Sequence, residues 1–169
     1  NVTVAATKSA MARGRDTAIT KHIDDLSRAA RHISISCDIA ELPDIHVQLL
    51  ASITTRSDEF DALIKRNPGE VFRQAISAII ARLEGRPLYT HTDELVSDLH
   101  EIENALFAIG AQQLSNRYIR PVRWRVEVFG FRTTSLDIRQ NSTVTTDVLA
   151  EIWGPGETYG SIKWSQRLR

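Results

Sequence analysis

Ile119-Arg120-Pro121-Val122-Arg123-Trp124-Arg125-Val126-Glu127-Val128-Phe129-Gly130-Phe131 is the stretch on which the fold turns. At a period of two, Val122, Trp124, Val126 and Val128 alternate with Arg123, Arg125 and Glu127, the signature of a half-buried strand. At the helical period, Ile119, Val122, Val126 and Phe129 share one face. On pattern alone the two readings tie. One makes the chain helical up to this point and through it, and the other places a strand here.

Upstream the pattern is one-sided. Ile19, Ile23, Leu26, Ala30 and Ile33 recur at spacings of four and three, which stacks them on a single helical stripe. That helix can start as early as Thr3, with its capping hydroxyl, and must end before Pro43, with Gly14 a weak point inside it. Ile45, Leu49, Leu50 and Ile53 repeat the helical spacing after Pro43, which suits a first-turn position. Ser57 with Asp58 and Glu59 reads as a cap followed by first-turn acids, leading a short helix through Phe60, Leu63 and Ile64. Asn67-Pro68-Gly69-Glu70 is a start signal for Phe72, Ile76, Ile79, Ile80 and Leu83, stopped by Gly85-Arg86-Pro87. Thr92 caps Leu95, Leu99, Ile102, Leu106 and Ile109, closed by Gly110. No strand-period stretch occurs in the first 115 residues.

Downstream, residues 134–140 hold Leu136 and Ile138 between polar neighbours and read as a short strand. Ser142 can then cap a helix carrying Val144, Val148, Leu149 and Ile152, closed by Gly154-Pro155. The tail from Glu157 to Arg169 reads as loop with a turn at Ser165. The expected architecture is mainly α, with at most one or two short strands around 134–140, and one helical domain over 1–169.

The 169 residues are 42% hydrophobic and 25% charged, so a packed core is expected rather than disorder. The 21 basic and 21 acidic residues cancel. Zero net charge removes the long-range field that nonspecific nucleic-acid or anionic-membrane binding needs, so neither partner is expected. Apolar runs fall short of the roughly 18 residues of a membrane span. The single cysteine, Cys37, cannot form an internal disulfide and reads as a buried structural thiol, which fits a reducing cytoplasm. The start at Asn1, without Met or a charged-then-apolar leader, reads as an internal piece of a longer chain.

Chemistry-bearing patterns are sparse. There is no phosphate-cradling glycine loop, nucleophile elbow or zinc-protease helix. His22, His32, His46, His91 and His100 lack ligand spacing to one another or to Cys37, and read as surface or half-buried imidazoles. Trp124, Trp153 and Trp164 read as packing residues. Between Asp93 and Glu103 stand five acids (Asp93, Glu94, Asp98, Glu101, Glu103) and no Lys or Arg, whereas Arg117 to Arg132 holds five arginines (Arg117, Arg120, Arg123, Arg125, Arg132) against Glu127 alone. These runs can pair with each other, or the arginines can line an anion site, since a guanidinium offers a planar fork of donors. The residues that stand out are Leu136-Asp137-Ile138-Arg139-Gln140. On a strand, Asp137 and Arg139 share a face, where both are costly to bury unless paired or holding a ligand.

Phe129-Gly130, followed at a short interval by Leu136-Asp137-Ile138-Arg139-Gln140, resembles the characteristic string of the phosphoenolpyruvate carboxylase family. Thr146-Asp147-Val148-Leu149 and the Tyr159 to Trp164-Ser165 segment resemble the family's next helix and its Tyr-to-Trp-Ser segment. Upstream, Pro68-Gly69-Glu70-Val71-Phe72-Arg73 with Ala81-Arg82-Leu83 resembles a family helix, and Asn1-Val2-Thr3 resembles the residues just after a glycine-rich active-site string. Most specific is Leu136 to Gln140.

The resemblance implies a helical-bundle fragment of a much longer, helix-rich α/β barrel enzyme. That enzyme joins bicarbonate to phosphoenolpyruvate, giving oxaloacetate and phosphate, with Mg2+ or Mn2+. It implies that Arg139 helps hold the substrate anion, with Asp137 and Gln140 as support. It also favours a helix over 119–131, because the family has a helix running into Phe-Gly. The family's catalytic histidine string, glycine-rich arginine loop and metal-binding acids have no counterpart here, so no metal is expected on the fragment, and it is expected to be inactive alone. The parent is expected to be a cytoplasmic homo-oligomer. Asn141 stands where the family has Glu, Thr145 where it has His, and Ser135 where it has a basic residue, the departures of a divergent member. The rival reading is a noncatalytic helical module that binds a protein partner or small anion through its arginine-rich stretch.

Overall fold

A computed structural model describes residues 4–35 and 41–132, together with Thr143, Asp147, Val148 and Glu151. The chain divides into two compact units, residues 1–134 and 135–169. In the second, the four described residues are helical, in the segment where Ser142 was expected to start a helix. The expected strand at 134–140, Cys37, Trp153, Trp164 and the tail lie outside the described residues.

Among its described residues, the first unit is helical throughout its regular structure. Its helices are α1 (Val4–His32), α2 (Asp44–Thr55), α3 (Phe60–Arg66), α4 (Val71–Leu83), α5 (Thr92–Ala108), α6 (Gln112–Leu114) and α7 (Arg120–Phe129), with a π-turn at Ser115–Ile119 before α7. None of these is long and apolar enough to cross a membrane. The contested stretch is helix. Ile119, Val122 and Val126 are buried, while Trp124 is 55% and Val128 73% exposed. The period-two set is therefore split between core and solvent, and the helical set, Phe129 excepted at 51% exposure, faces the core. Trp124 is correspondingly a surface residue rather than a packing residue.

α4 is the hub, with α1 and α2 packed on it, while α5 packs on α2, the π-turn and α7. Phe72, Ala75, Ile76, Ala78 and Ile79 of α4 are fully buried, so the helix is enclosed on most sides. Each large apolar side chain buried this way contributes about 1.5–3 kcal/mol. α1 supplies Leu26, Ala29 and Ile33 to the same core and runs through Gly14 without interruption.

Several helix starts lie elsewhere than the sequence signals suggest. Asn67-Pro68-Gly69 forms a turn closed by the Glu70 amide donating to the Asn67 carbonyl at 3.2 Å. Gly69 there has φ +73, a left-handed conformation that cannot continue a helix, so α4 begins only at Val71. His91, not Thr92, is the N-cap of α5, and its amide donates to the Glu94 carboxylate at 3.2 Å. Pro43 is the N-cap of α2 rather than a first-turn residue, and Ile45 beside it is 57% exposed. Ser57 takes the Glu59 amide at 3.2 Å, but Glu59 is the residue that caps α3.

Candidate functional site

The site begins where α7 ends. Gly130 has φ +55 and ψ −132, a conformation that favours glycine, and a Cβ there would press on Thr92 Oγ1 at 3.3 Å. Its amide donates to the Val126 carbonyl at 2.7 Å, and its carbonyl accepts from His22 Nε2 at 2.9 Å. The chain leaving α7 toward Leu136 is thus pinned to α1 and bears on the start of α5. Arg139, Asp137 and Gln140 themselves lie outside the described residues, as do Ser135, Asn141 and Thr145.

His22 corrects the reading of its imidazole as surface or half-buried, being 1% exposed. A carbonyl acceptor requires a proton on Nε2, and the neutral Nε2–H tautomer supplies it without charging the buried ring. Burial pushes its pKa down; the bond to Gly130 opposes this, and the Arg125 charge adds to the lowering. The folded state therefore binds the proton less readily than the unfolded chain, and stability rises with pH through this window. The contribution is intact above about pH 6.5, the unfolded value, and is lost as pH falls from there toward the folded value. Urea unfolding at pH 7.5, 6.5 and 5.5 should show a decline that is flatter in His22→Gln, whose amide can still donate to Gly130. Parallel profiles would remove His22 from the pH response.

The acidic and arginine-rich runs pair only in part. Glu103 of α5, 2% exposed, takes Arg123 Nε at 3.1 Å and lies 3.9 Å from Arg120 Nε, both in α7. Arg123 also pairs with Glu127. Burial works against its charge, and the bonds to Glu127 and Glu103 overcome that and hold its pKa up. Two other acids of the run, Asp98 and Glu94, face different partners. Asp98, 2% exposed, accepts from Arg56 Nη2 at 2.6 Å, from Arg82 Nη1 at 3.2 Å and from the Tyr89 hydroxyl at 2.7 Å. Arg82 reaches Glu94 at 2.8 Å and lies 3.7 Å over the Tyr89 ring. The Arg82 bond holds the Glu94 carboxyl below the usual range. Burial, then the Asp98 charge, drive the Tyr89 phenol far up, so it remains a donor.

Sequence patterns did not bring this network forward. Arg82 stands three residues after Ile79 and seven after Ala75, on the buried face of α4, and that spacing was the available signal. Arg125 pairs with Asp25 of α1, outside both charge runs. Arg117 and Arg132 have no carboxylate partner among the described residues. No group of three His, Cys, Asp or Glu among the described residues could hold a metal ion.

These features define the class: among the described residues, a helical scaffold braced by buried ion pairs, whose last helix ends at a Gly130 held to α1. The model of the phosphoenolpyruvate carboxylase family matches residues 1–169. Proteins named phosphoenolpyruvate carboxylase are 31% identical over 163 residues in Methylorubrum extorquens, 29% over 178 in Rhodopseudomonas palustris and 29% over 189 in Mycobacterium leprae. They cover 90%, 89% and 100% of this chain. The chain belongs to the phosphoenolpyruvate carboxylase family. It spans under a fifth of these relatives' length, 18%, 18% and 19%. No solved structure matches it. Nothing in these matches supports the noncatalytic module.

Proposed function

We propose that this chain is an internal section of a phosphoenolpyruvate carboxylase, one helical section within a larger catalyst. The parent joins bicarbonate to phosphoenolpyruvate to give oxaloacetate and phosphate, and Arg139 of this section helps hold the substrate anion. The observation that carries the reading is the family match over the whole of residues 1–169, which takes in Leu136-Asp137-Ile138-Arg139-Gln140. Arg139 offers a rigid fork of N–H donors that stays charged at any working pH and matches the geometry of a carboxylate or phosphate. Asp137 and Gln140 flank it as the groups available to orient that fork.

The described residues offer no ligand set for the Mg2+ or Mn2+ expected of the parent, so they do not fit that ion and no step is drawn through it. A cytoplasmic, homo-oligomeric parent without nucleic-acid or membrane partners completes the reading. The test is oxaloacetate formation from phosphoenolpyruvate, bicarbonate and Mg2+, followed with a coupled reductase. The full parent polypeptide is expected to turn over, and residues 1–169 alone are expected to give none. Turnover by the isolated chain would overturn its status as an incomplete section. An inactive, folded parent would overturn the enzyme reading.

A further inference from the structure

We propose that the groove between α1 and the π-turn with α7 binds a phosphomonoester dianion. The groove encloses about 350 Å3 and is lined by Arg28, Arg117 and Arg125, by Asp25, and by His32 and Tyr118. Small-ligand sites start at about 300 Å3, so the space suits a compact organic phosphate.

Charge sets the class of ligand. Asp25 is the one carboxylate in the lining, and four cations share or adjoin it. It pairs with Arg125, lies 3.1 Å from Lys21 Nζ and 3.8 Å from Arg28 Nη1. Arg117, exposed and 5.5 Å from the Tyr118 ring centroid, has no carboxylate partner among the described residues. Asp25 therefore holds Arg28 and Arg125 in place without neutralising the groove. Three guanidinium forks facing one space exceed what a single carboxylate can accept, whereas a phosphomonoester brings two charges and three terminal oxygens.

The backbone explains how Arg117 comes to stand there. Pro121 has no N–H to give the Arg117 carbonyl four residues back, and the ladder loosens into the π-turn Ser115–Ile119. That turn carries Arg117 and Tyr118 together, with Tyr118 stacked on His32 of α1 at 4.6 Å and 12°. π-turns recur at functional sites because the irregular ladder is otherwise unfavourable. The stacked pair gives the groove a flat wall beside its cationic groups.

The test is isothermal titration of the 169-residue chain with phenyl phosphate at low salt, with acetate as the monoanion control. Backbone amide shifts would locate the site. Saturable phenyl phosphate binding that perturbs Arg28, Arg117 and Tyr118, with acetate much weaker, is the expected result. Arg117→Ala removes an exposed side chain with no ion pair to break, and should weaken binding about tenfold or more. Arg117→Lys, which keeps the charge but loses the fork, should fall between. The proposal is overturned by the absence of saturable binding, by acetate binding as tightly, by shifts confined to other residues, or by unchanged affinity in Arg117→Ala. Arg117→Gln repeats the comparison should alanine disturb the helix.

Discussion

Asp98→Ala should destabilise the helical unit by about 3–5 kcal/mol, the cost of breaking a buried ion pair from one side. A domain is stable by about 5–15 kcal/mol in total, so this single change should remove much of that margin. Asp98 accepts from Arg56, Arg82 and Tyr89, three groups carried by three separate segments. Without it, Arg82 keeps only the half-exposed Glu94 and the Tyr89 ring for its buried charge. The Tyr89 hydroxyl, also buried, loses its acceptor, which adds a desolvation penalty of about 1–3 kcal/mol that is contained in the total. Urea denaturation of the 169-residue chain measures this directly. A loss below about 1 kcal/mol would show that the network is ornamental to stability, as exposed pairs commonly are.

The same residues show what pattern can and cannot convey. The stripes Ile19 to Ile33 and Leu95 to Leu106 were legible because burial on a helix repeats every three or four residues, and their buried members are the core. Helix starts were less legible because a cap signal fixes a neighbourhood rather than a residue. Gly69 at φ +73 turned an apparent start at Asn67 into a separate turn. The 119–131 stretch could not be decided from alternation, since Val122 and Val126 satisfy both periods. The family resemblance favours the helix, and the exposure of Trp124 and Val128, which depends on what packs alongside, separates the two in the fold.

Ion pairs were the least legible feature. Asp98 finds Arg56, 42 residues away, and Arg125 finds Asp25, 100 residues away, and no local spacing encodes either. His22 was misread for a similar reason, because its partner, the Gly130 carbonyl, is 108 residues distant. The string Leu136 to Gln140 and its family resemblance point to a site at Arg139 that lies outside the described residues. The groove at Arg117 was legible only as a surplus of arginine, since its walls come from both ends of the unit.

Arg139 carries the largest expected effect on activity. A guanidinium that holds a small anion in a site shielded from water contributes about 2–5 kcal/mol when its partner is bound, and truncation forfeits it. In the parent polypeptide, Arg139→Ala should therefore lower kcat/KM for phosphoenolpyruvate by about a hundredfold or more, equivalent to about 2.7 kcal/mol. Arg139→Lys should recover part of the loss, because the charge survives while the paired donors do not. KM for bicarbonate should move little if the fork grips phosphoenolpyruvate. The decisive measurement is kcat/KM for phosphoenolpyruvate in folded Arg139→Ala parent enzyme beside the unaltered protein. A fall of about two orders of magnitude is the expected result, and values within about twofold of each other would contradict the assignment of the substrate anion to this arginine.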